Sequence, residues 1–247
     1  MPKLYLIGIG PGSNGEITGD AIESLKNSDI IMGYSKYIEL IEEFVSDKEI
    51  ESGPVTDEIG RANNAIKYVM SGKTVSIVSS GDSAIYGMAG IVFEIIASHN
   101  YRIDLQIIPG ITALSSAGSL LGVPFMNDFC SISLSNKLTP EDVILKRIHA
   151  AGAGDFVTAI YNPVSLKRTE LIKKAREIML EYRNKDTPVG LVTNAYRKEQ
   201  KVEISTLGDF LQSDINMFTL VVIGNSSTYV YGKYMITPRN YDNKYSI

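Results

Sequence analysis

The chain has no tryptophan, a single cysteine and two histidines in 247 residues. One cysteine, Cys130, excludes an internal disulfide framework and fits a reducing compartment, so a cytoplasmic location is expected. Its place in "DFCSISL" reads as a buried strand residue more than a nucleophile. His99 and His149 beside one thiol make a His/Cys zinc site hard to assemble, and no metal is expected. His149 follows a helical stretch and His99 closes one, so both read as helix-end residues near the negative pole of the macrodipole. Long apolar runs are missing too: none approaches the roughly 18 residues of a bilayer-spanning helix, so no membrane partner is expected. The opening residues lack the charged, apolar, then small order of a secretory signal. A basic excess is also absent. The net charge of −4 provides no electrostatic footprint for nucleic acid. What remains is an ordinary globular composition, 44% hydrophobic and 21% charged. Its chemistry is expected to rest on a bound cofactor.

Apolar runs of strand length alternate with helical patterns along the whole chain. Residues 4–9 form a short continuous apolar run ending in glycine, as a buried parallel strand does. Thr18 is placed to cap a helix through about Lys26. Residues 29–34 and 74–80 and the stretch "DLQIIPG" read as further strands. Helices are expected over 58–70, with Ala62, Ala65, Ile66 and Val69 on one face, over "AIYGMAGIVFEIIASH", and over "ITALSSAGSLLG". After Gly122-Val123-Pro124 the pattern restarts. Strands "CSISLS", "FVTAIYN", "PVGLVTNA", "KVEISTL" and "FTLVVIGNS" are interleaved with a helix opened by Thr139-Pro140 and a charged helix over 166–183. The expectation is an α/β protein of two lobes, residues 1–122 and 123–247, with mostly parallel sheets and a ligand cleft between them.

Gly10, Gly12 and Gly15 match the dinucleotide pattern G-x-G-x-x-G, which by itself is a weak signal. Pro11 between the first two glycines offers no N–H, and the helix starts several residues after Gly15. The second strand ends in Gly33-Tyr34, not in the acid that would hold a ribose hydroxyl. A nicotinamide-dependent oxidoreductase is therefore the weaker reading. The more informative strand end is "SSGDSAIYGMAG". Gly81 lets a ligand approach the backbone closely. Asp82 follows a buried strand, where capping the next helix competes with a ligand role. Thr112 in "PGITA", Asn162 in "AIYNPVSLKR", and the stretches "GLVTNAYRK" and "VIGNSST" repeat the theme. Each is weak alone. Together, five polar or glycine-rich strand ends from two lobes are a stronger signal, because an α/β fold is expected to make them converge.

Taken together, these stretches resemble the tetrapyrrole methylase family, over essentially the whole chain. Its N-terminal mark is a G-x-G-P-G turn followed by a Thr-led helix, here Gly8 to Gly12 and Thr18. The resemblance implies S-adenosylmethionine as the cofactor and a tetrapyrrole macrocycle as the small-molecule substrate. By position it implies cofactor contacts at Pro11, Ser80, Gly81, Asp82, Ile85, Thr112, Ala113, Asn162 and Ala195. The stretches "GYSKYIELI", "NDFCSISLSNKLTP", "DFVTAIYNPVSLKR", "TPVGLVTNAYR" and "MITPRNY" are similar to the branch that methylates C17 of precorrin-3B or its cobalt-bearing counterpart, a step associated with ring contraction. Ser83-Ala84 and Glu141 depart from that branch's usual residues. The siroheme branch carries an aspartate near the end of the second strand, where this chain has Tyr34. A homodimer is implied as well.

An activated sulfonium donor asks mainly for alignment and a dry cleft, which agrees with the absence of a triad. Arg168, Arg197 and Arg239 are candidates for holding macrocycle carboxylates, because guanidinium forks match them; plain surface charge is the competing role of each. No catalytic residue is singled out. A methylase of another carbon position, a diphthine synthase-like enzyme and a non-catalytic tetrapyrrole carrier remain alternatives.

Overall fold

The computed structural model of the protein describes residues 2–165 and 168–246. Packing divides the chain into two compact units, Met1–Ala113 and Leu114–Ile247. The first contains β1 (Leu4–Gly8), α1 (Gly19–Lys26), β2 (Ile30–Tyr34), α2 (Ser35–Ile38), α3 (Glu42–Val45), β3 (Glu49–Gly53), α4 (Glu58–Met70), β4 (Val75–Ser79), α5 (Ala89–His99) and β5 (Leu105–Ile108). Its five strands form one parallel sheet in the order β3-β2-β4-β1-β5. Side chains of a strand alternate between faces, and this period sorts the apolar residues into two layers. Leu4, Leu6, Ile30, Met32, Val75 and Ile77 pack on one side with residues of α4 and α5. Ile7, Ile31 and Val78 pack on the other with Ala21 and Leu25 of α1 and Val45 of α3. Both faces are covered, which is why these strands read as continuous apolar runs. All five strands point the same way, so their carboxyl ends share one edge.

Local expectations hold here with one exception. Thr18 caps α1, its hydroxyl accepting from the Ala21 N–H at 3.2 Å. The helix expected over 58–70 is α4, with Ala62, Ala65, Ile66 and Val69 buried. The helix expected from Ala84 starts only at Ala89. Residues 83–88 instead form a bent loop, because Tyr86 has φ +55° and the Met88 N–H is drawn to the Ser79 hydroxyl at 3.1 Å.

The second unit holds α6 (Ala113–Leu121, whose first residue belongs to the first unit), β6 (Gly122–Val123), β7 (Phe129–Ser133), α7 (Glu141–Ala153), β8 (Val157–Tyr161), α8 (Glu170–Leu180), β9 (Pro188–Thr193), β10 (Lys201–Thr206), β11 (Thr219–Ile223), β12 (Tyr229–Tyr231) and β13 (Tyr234–Ile236). The main sheet runs β10-β9-β11-β8-β7, and only β7 and β8 pair in parallel. The expectation of mostly parallel sheets is thus corrected for this unit. The turn after β9 returns the chain directly as its antiparallel neighbour β10, and β11 then inserts antiparallel between β9 and β8. A second, three-stranded sheet joins β12, β13 and β6. Residues 166 and 167 of the expected helix 166–183 lie outside the described residues, and α8 spans Glu170–Leu180.

The division also falls one helix earlier than the expected 122/123 boundary. Leu121 sits over Gly190 of β9, where an added Cβ would meet its side chain, and β6 pairs with β13. Those contacts tie α6 to the main sheet of the second unit and β6 to its three-stranded sheet.

That unit is braced by Arg183, whose side chain is 1% exposed. Its Nε donates to the Gly224 carbonyl at 2.9 Å, Nη1 to Gly152 at 3.2 Å and Nη2 to Phe156 at 2.9 Å, while Nη1 also pairs with Asp155 at 3.0 Å. Burial pulls the guanidinium pKa downward, and the Asp155 charge opposes that pull. Arg183→Met leaves those carbonyls without their donor. It is expected to lower unfolding stability by about 3 kcal/mol or more, measured by denaturant titration.

Candidate cofactor-binding site

Backbone meets backbone where β1, β4 and β5 end. Gly10 and Gly81 form an antiparallel bridge, Gly10 N–H to the Gly81 carbonyl at 3.0 Å and Gly81 N–H to the Gly10 carbonyl at 2.7 Å. A Cβ on Gly8 would lie 2.6 Å from the Gly81 oxygen and 2.7 Å from the Gly110 nitrogen. A Cβ on Gly110 would strike the carbonyl oxygens of Gly81 and Gly8. Glycine is required at these two places because there is no room for any side chain.

This contact disposes of the dinucleotide reading. The Gly10 N–H is committed to Gly81, Pro11 has none, and α1 starts only at Gly19. Gly10 serves to join one strand-end loop to another, and a Cβ on Gly15 would meet nothing within 4 Å.

Asp82 is 8% exposed and does not cap α5, which starts seven residues later. Its Oδ1 accepts from the N–H groups of Ala84 at 2.8 Å and Ile85 at 3.1 Å, closing an Asx-type turn. Its Oδ2 accepts from the Gly110 N–H at 3.0 Å. Ser83, one of the residues departing from the usual branch pattern, is fully buried and donates to the Leu6 carbonyl at 3.0 Å. The turn thus held leaves Ile85 44% and Tyr86 51% exposed. Gly81, at φ +70°, faces Thr112 and Ala113, and a Cβ there would stand 3.6 Å from the Thr112 Cα and the Ala113 nitrogen. Pro11, Ser80, Gly81, Asp82, Ile85, Thr112 and Ala113 therefore lie on loops of one sheet edge. Gly8, Gly110 and Tyr86 belong to the same assembly; sequence marks the two glycines only as parts of the G-x-G-P-G and Pro-Gly turns, and does not single out Tyr86.

In the second unit β7, β8 and β9 run in one direction, so their carboxyl ends also share an edge. Asn162 follows β8 at φ +51° and Asn194 follows β9 at φ +51°. The Asn162 side-chain amide donates to the Ser133 hydroxyl of β7 at 2.9 Å. Arg168 Nη2 donates to the Asn162 carbonyl at 2.7 Å, while its buried Nε meets no partner among the described residues. Burial lowers the Arg168 pKa. The side chain thus braces the left-handed Asn162 turn. Ala195, half-buried, follows Asn194, and Arg197 is half-buried, its N–H donating to the Asn194 carbonyl at 3.0 Å. Arg239 is exposed beyond β13. At the start of α6 the Leu114 N–H donates to the Tyr161 hydroxyl at 2.9 Å.

Among the described residues no group of three or more His, Cys, Asp or Glu side chains could hold a metal. Cys130 is half-buried with its sulfur 3.6 Å from the Thr158 hydroxyl, and burial pushes its thiol pKa up, which suppresses the thiolate.

A parallel α/β unit whose strand ends form a glycine cradle, followed by a mixed α/β unit with polar left-handed strand ends, is the fold of a tetrapyrrole methyltransferase. Residues 3–211 match the family model of Tetrapyrrole (Corrin/Porphyrin) Methylases, and the chain belongs to that family. It is 49% identical to the Cobalt-factor III methyltransferase of Priestia megaterium over 99% of this chain, which spans 46% of that longer protein. It is 44% identical to the Probable cobalt-factor III C(17)-methyltransferase of Salmonella typhimurium, covering 96% of this chain and 99% of the relative. The crystal structure of the methyltransferase CobJ superposes with a TM-score of 0.91 at 30% identity, over 96% of this chain and all of that one (100%).

Gly8→Ala is expected to lower stability by about 1–3 kcal/mol, since the clash is with backbone that cannot rotate away. Gly90→Ala, where nothing lies within 4 Å, is expected to be neutral or to stabilise by about 0.5 kcal/mol. Thermal unfolding of the two variants side by side measures the contrast.

Proposed function

We propose that the protein transfers a methyl group from S-adenosylmethionine to C17 of a precorrin-3 macrocycle in its cobalt-bearing form, with ring contraction, as a step of cobalamin biosynthesis. The observation that carries this reading is 44% identity sustained over 96% of this chain and 99% of a relative named for that reaction.

The glycine-lined strand-end loops support this reading. Gly81 leaves space over Thr112 and Ala113 that a Cβ would fill, so a ligand can lie directly on the backbone. On this reading Pro11, Ser80, Gly81, Thr112 and Ala113 hold the donor by main-chain contact, and Ile85 covers its apolar part. Asn162 and Ala195 are proposed as further donor contacts on the family resemblance alone. The donor supplies an activated sulfonium methyl. The chain's own task is to bind, align and exclude water, which requires no nucleophile or metal. Arg197 and Arg239 are proposed to meet macrocycle carboxylates, and Arg168 to do so while bracing Asn162.

We also place the protein in the cytoplasm, which suits its single reduced cysteine, and read it as a homodimer. Among the described residues no helix is long and apolar enough to cross a membrane. A groove of about 770 Å³ runs along the edge strand β10 beside the β12–β13 hairpin. Val202, Val230 and Tyr234 line it and are 39–46% exposed, an apolar edge that supports association. Light scattering on the purified chain is expected to give twice the 27.1 kDa chain mass; a monomer refutes the homodimer.

Incubation with a 13C-methyl donor and the cobalt-bearing macrocycle is expected to place the label on C17 in a ring-contracted product, read by NMR and mass. Label at another carbon moves the protein to a sister activity, and binding without turnover makes it a carrier. S-adenosylhomocysteine is expected to bind once per chain. At 100 times its Kd it raises stability by about 2.7 kcal/mol.

A further inference from the structure

The Asp82 carboxylate is occupied from within the protein. A carboxylate offers about four acceptor directions; three are taken by the N–H groups of Ala84, Ile85 and Gly110, at 2.8, 3.1 and 3.0 Å. The two oxygens do different things. Oδ1 shapes the loop after β4, and Oδ2 reaches the loop after β5. Between β4 and β5 in the sheet lies β1, so the second bond crosses over the end of a third strand. That end is Gly8, whose absent Cβ leaves the passage open: a Cβ would stand 2.9 Å from the Asp82 Cα and 2.7 Å from the Gly110 nitrogen. The two loops thus joined carry Ser80-Gly81 and Thr112-Ala113.

We propose that Asp82 is a positioning residue for the methyl donor: its carboxylate sets the spacing of two main-chain segments and does not itself meet the donor's ammonium group. This rests on the reading that those segments hold S-adenosylmethionine. A buried carboxylate with three backbone donors is compensated where it stands, and turning it toward a ligand would strand the Gly110 N–H. Asparagine is no substitute. It has one oxygen for two separate tasks, and its NH2 would face an N–H donor. Serine can still accept from its own turn but is too short to reach Gly110, so it isolates the inter-loop bond.

The test uses S-adenosylhomocysteine and 5′-methylthioadenosine, which keeps the adenosine and thioether but lacks the amino and carboxylate groups. Calorimetry on the wild type, Asp82→Asn and Asp82→Ser is expected to show both variants weakened about tenfold or more, by a similar factor for both ligands. A loss confined to S-adenosylhomocysteine would mean direct contact with the amino group and would overturn the proposal. Wild type that binds neither ligand overturns the cofactor reading and the proposal with it. Hydrogen exchange at the Gly110 amide of the unmodified protein gives a second reading, independent of whether the variants fold. The amide is expected to stay protected with and without S-adenosylhomocysteine, and loss of its protection on binding refutes the assignment.

Discussion

Three strand ends of the first sheet meet as bare backbone, Gly8 against Gly81 and Gly110, and the surface beside them is shaped by that contact. The glycines allow β1, β4 and β5 to bring their loops closer than any side chain would permit. Hydrogen bonds then lock what sterics allow: the Gly10–Gly81 bridge ties the first loop to the second, and Asp82 ties the second to the third. The outcome is a lining made of main chain. A ligand held by main chain depends on loop spacing more than on side-chain identity, and spacing errors of an ångström weaken alignment sharply.

The layers behind this edge keep it rigid. Apolar residues on both faces of the parallel sheet fix the register of β1 and β4, and a slip of one residue would exchange the two layers. Leu4, Leu6 and Ile77 would then face the α1 side, and Ile7 and Val78 the α4 side. Rigidity of the strands is passed to the loops that leave them. The second unit reaches a comparable edge by other means. Its main sheet is largely antiparallel, yet β7, β8 and β9 still share a direction, with β11 inserted between the last two. The left-handed turns at Asn162 and Asn194 cost backbone strain, offset at Asn162 by the bonds to Ser133 and Arg168.

Much of this was legible in the order of residues. Continuous apolar runs marked β1, β2 and β4 because a strand covered on both faces has no polar side. Spacing at Ala62, Ala65, Ile66 and Val69 marked α4, and Thr18 marked the start of α1, because helix faces and caps are local. Together with the quoted stretches this determined the α/β class and the family.

Tertiary structure decided what depends on distant partners. Strand direction in the main sheet of the second unit is set by which neighbours pair, and the apolar run of β11 is as compatible with antiparallel as with parallel neighbours. The start of α5 was displaced from Ala84 to Ala89 by bonds to residues outside the helix. Asp82 illustrates the limit most clearly. An aspartate after a buried strand reads as a helix cap or a ligand contact, and only the fold brings Gly110, 28 residues away, to its second oxygen. The sequence by itself settled which segments are strands, helices and glycine turns, because those follow from nearest-neighbour spacing. Which loops are joined, and through which atoms, was settled by three-dimensional packing, because a hydrogen bond acts over about 3 Å and chain order carries no record of that distance.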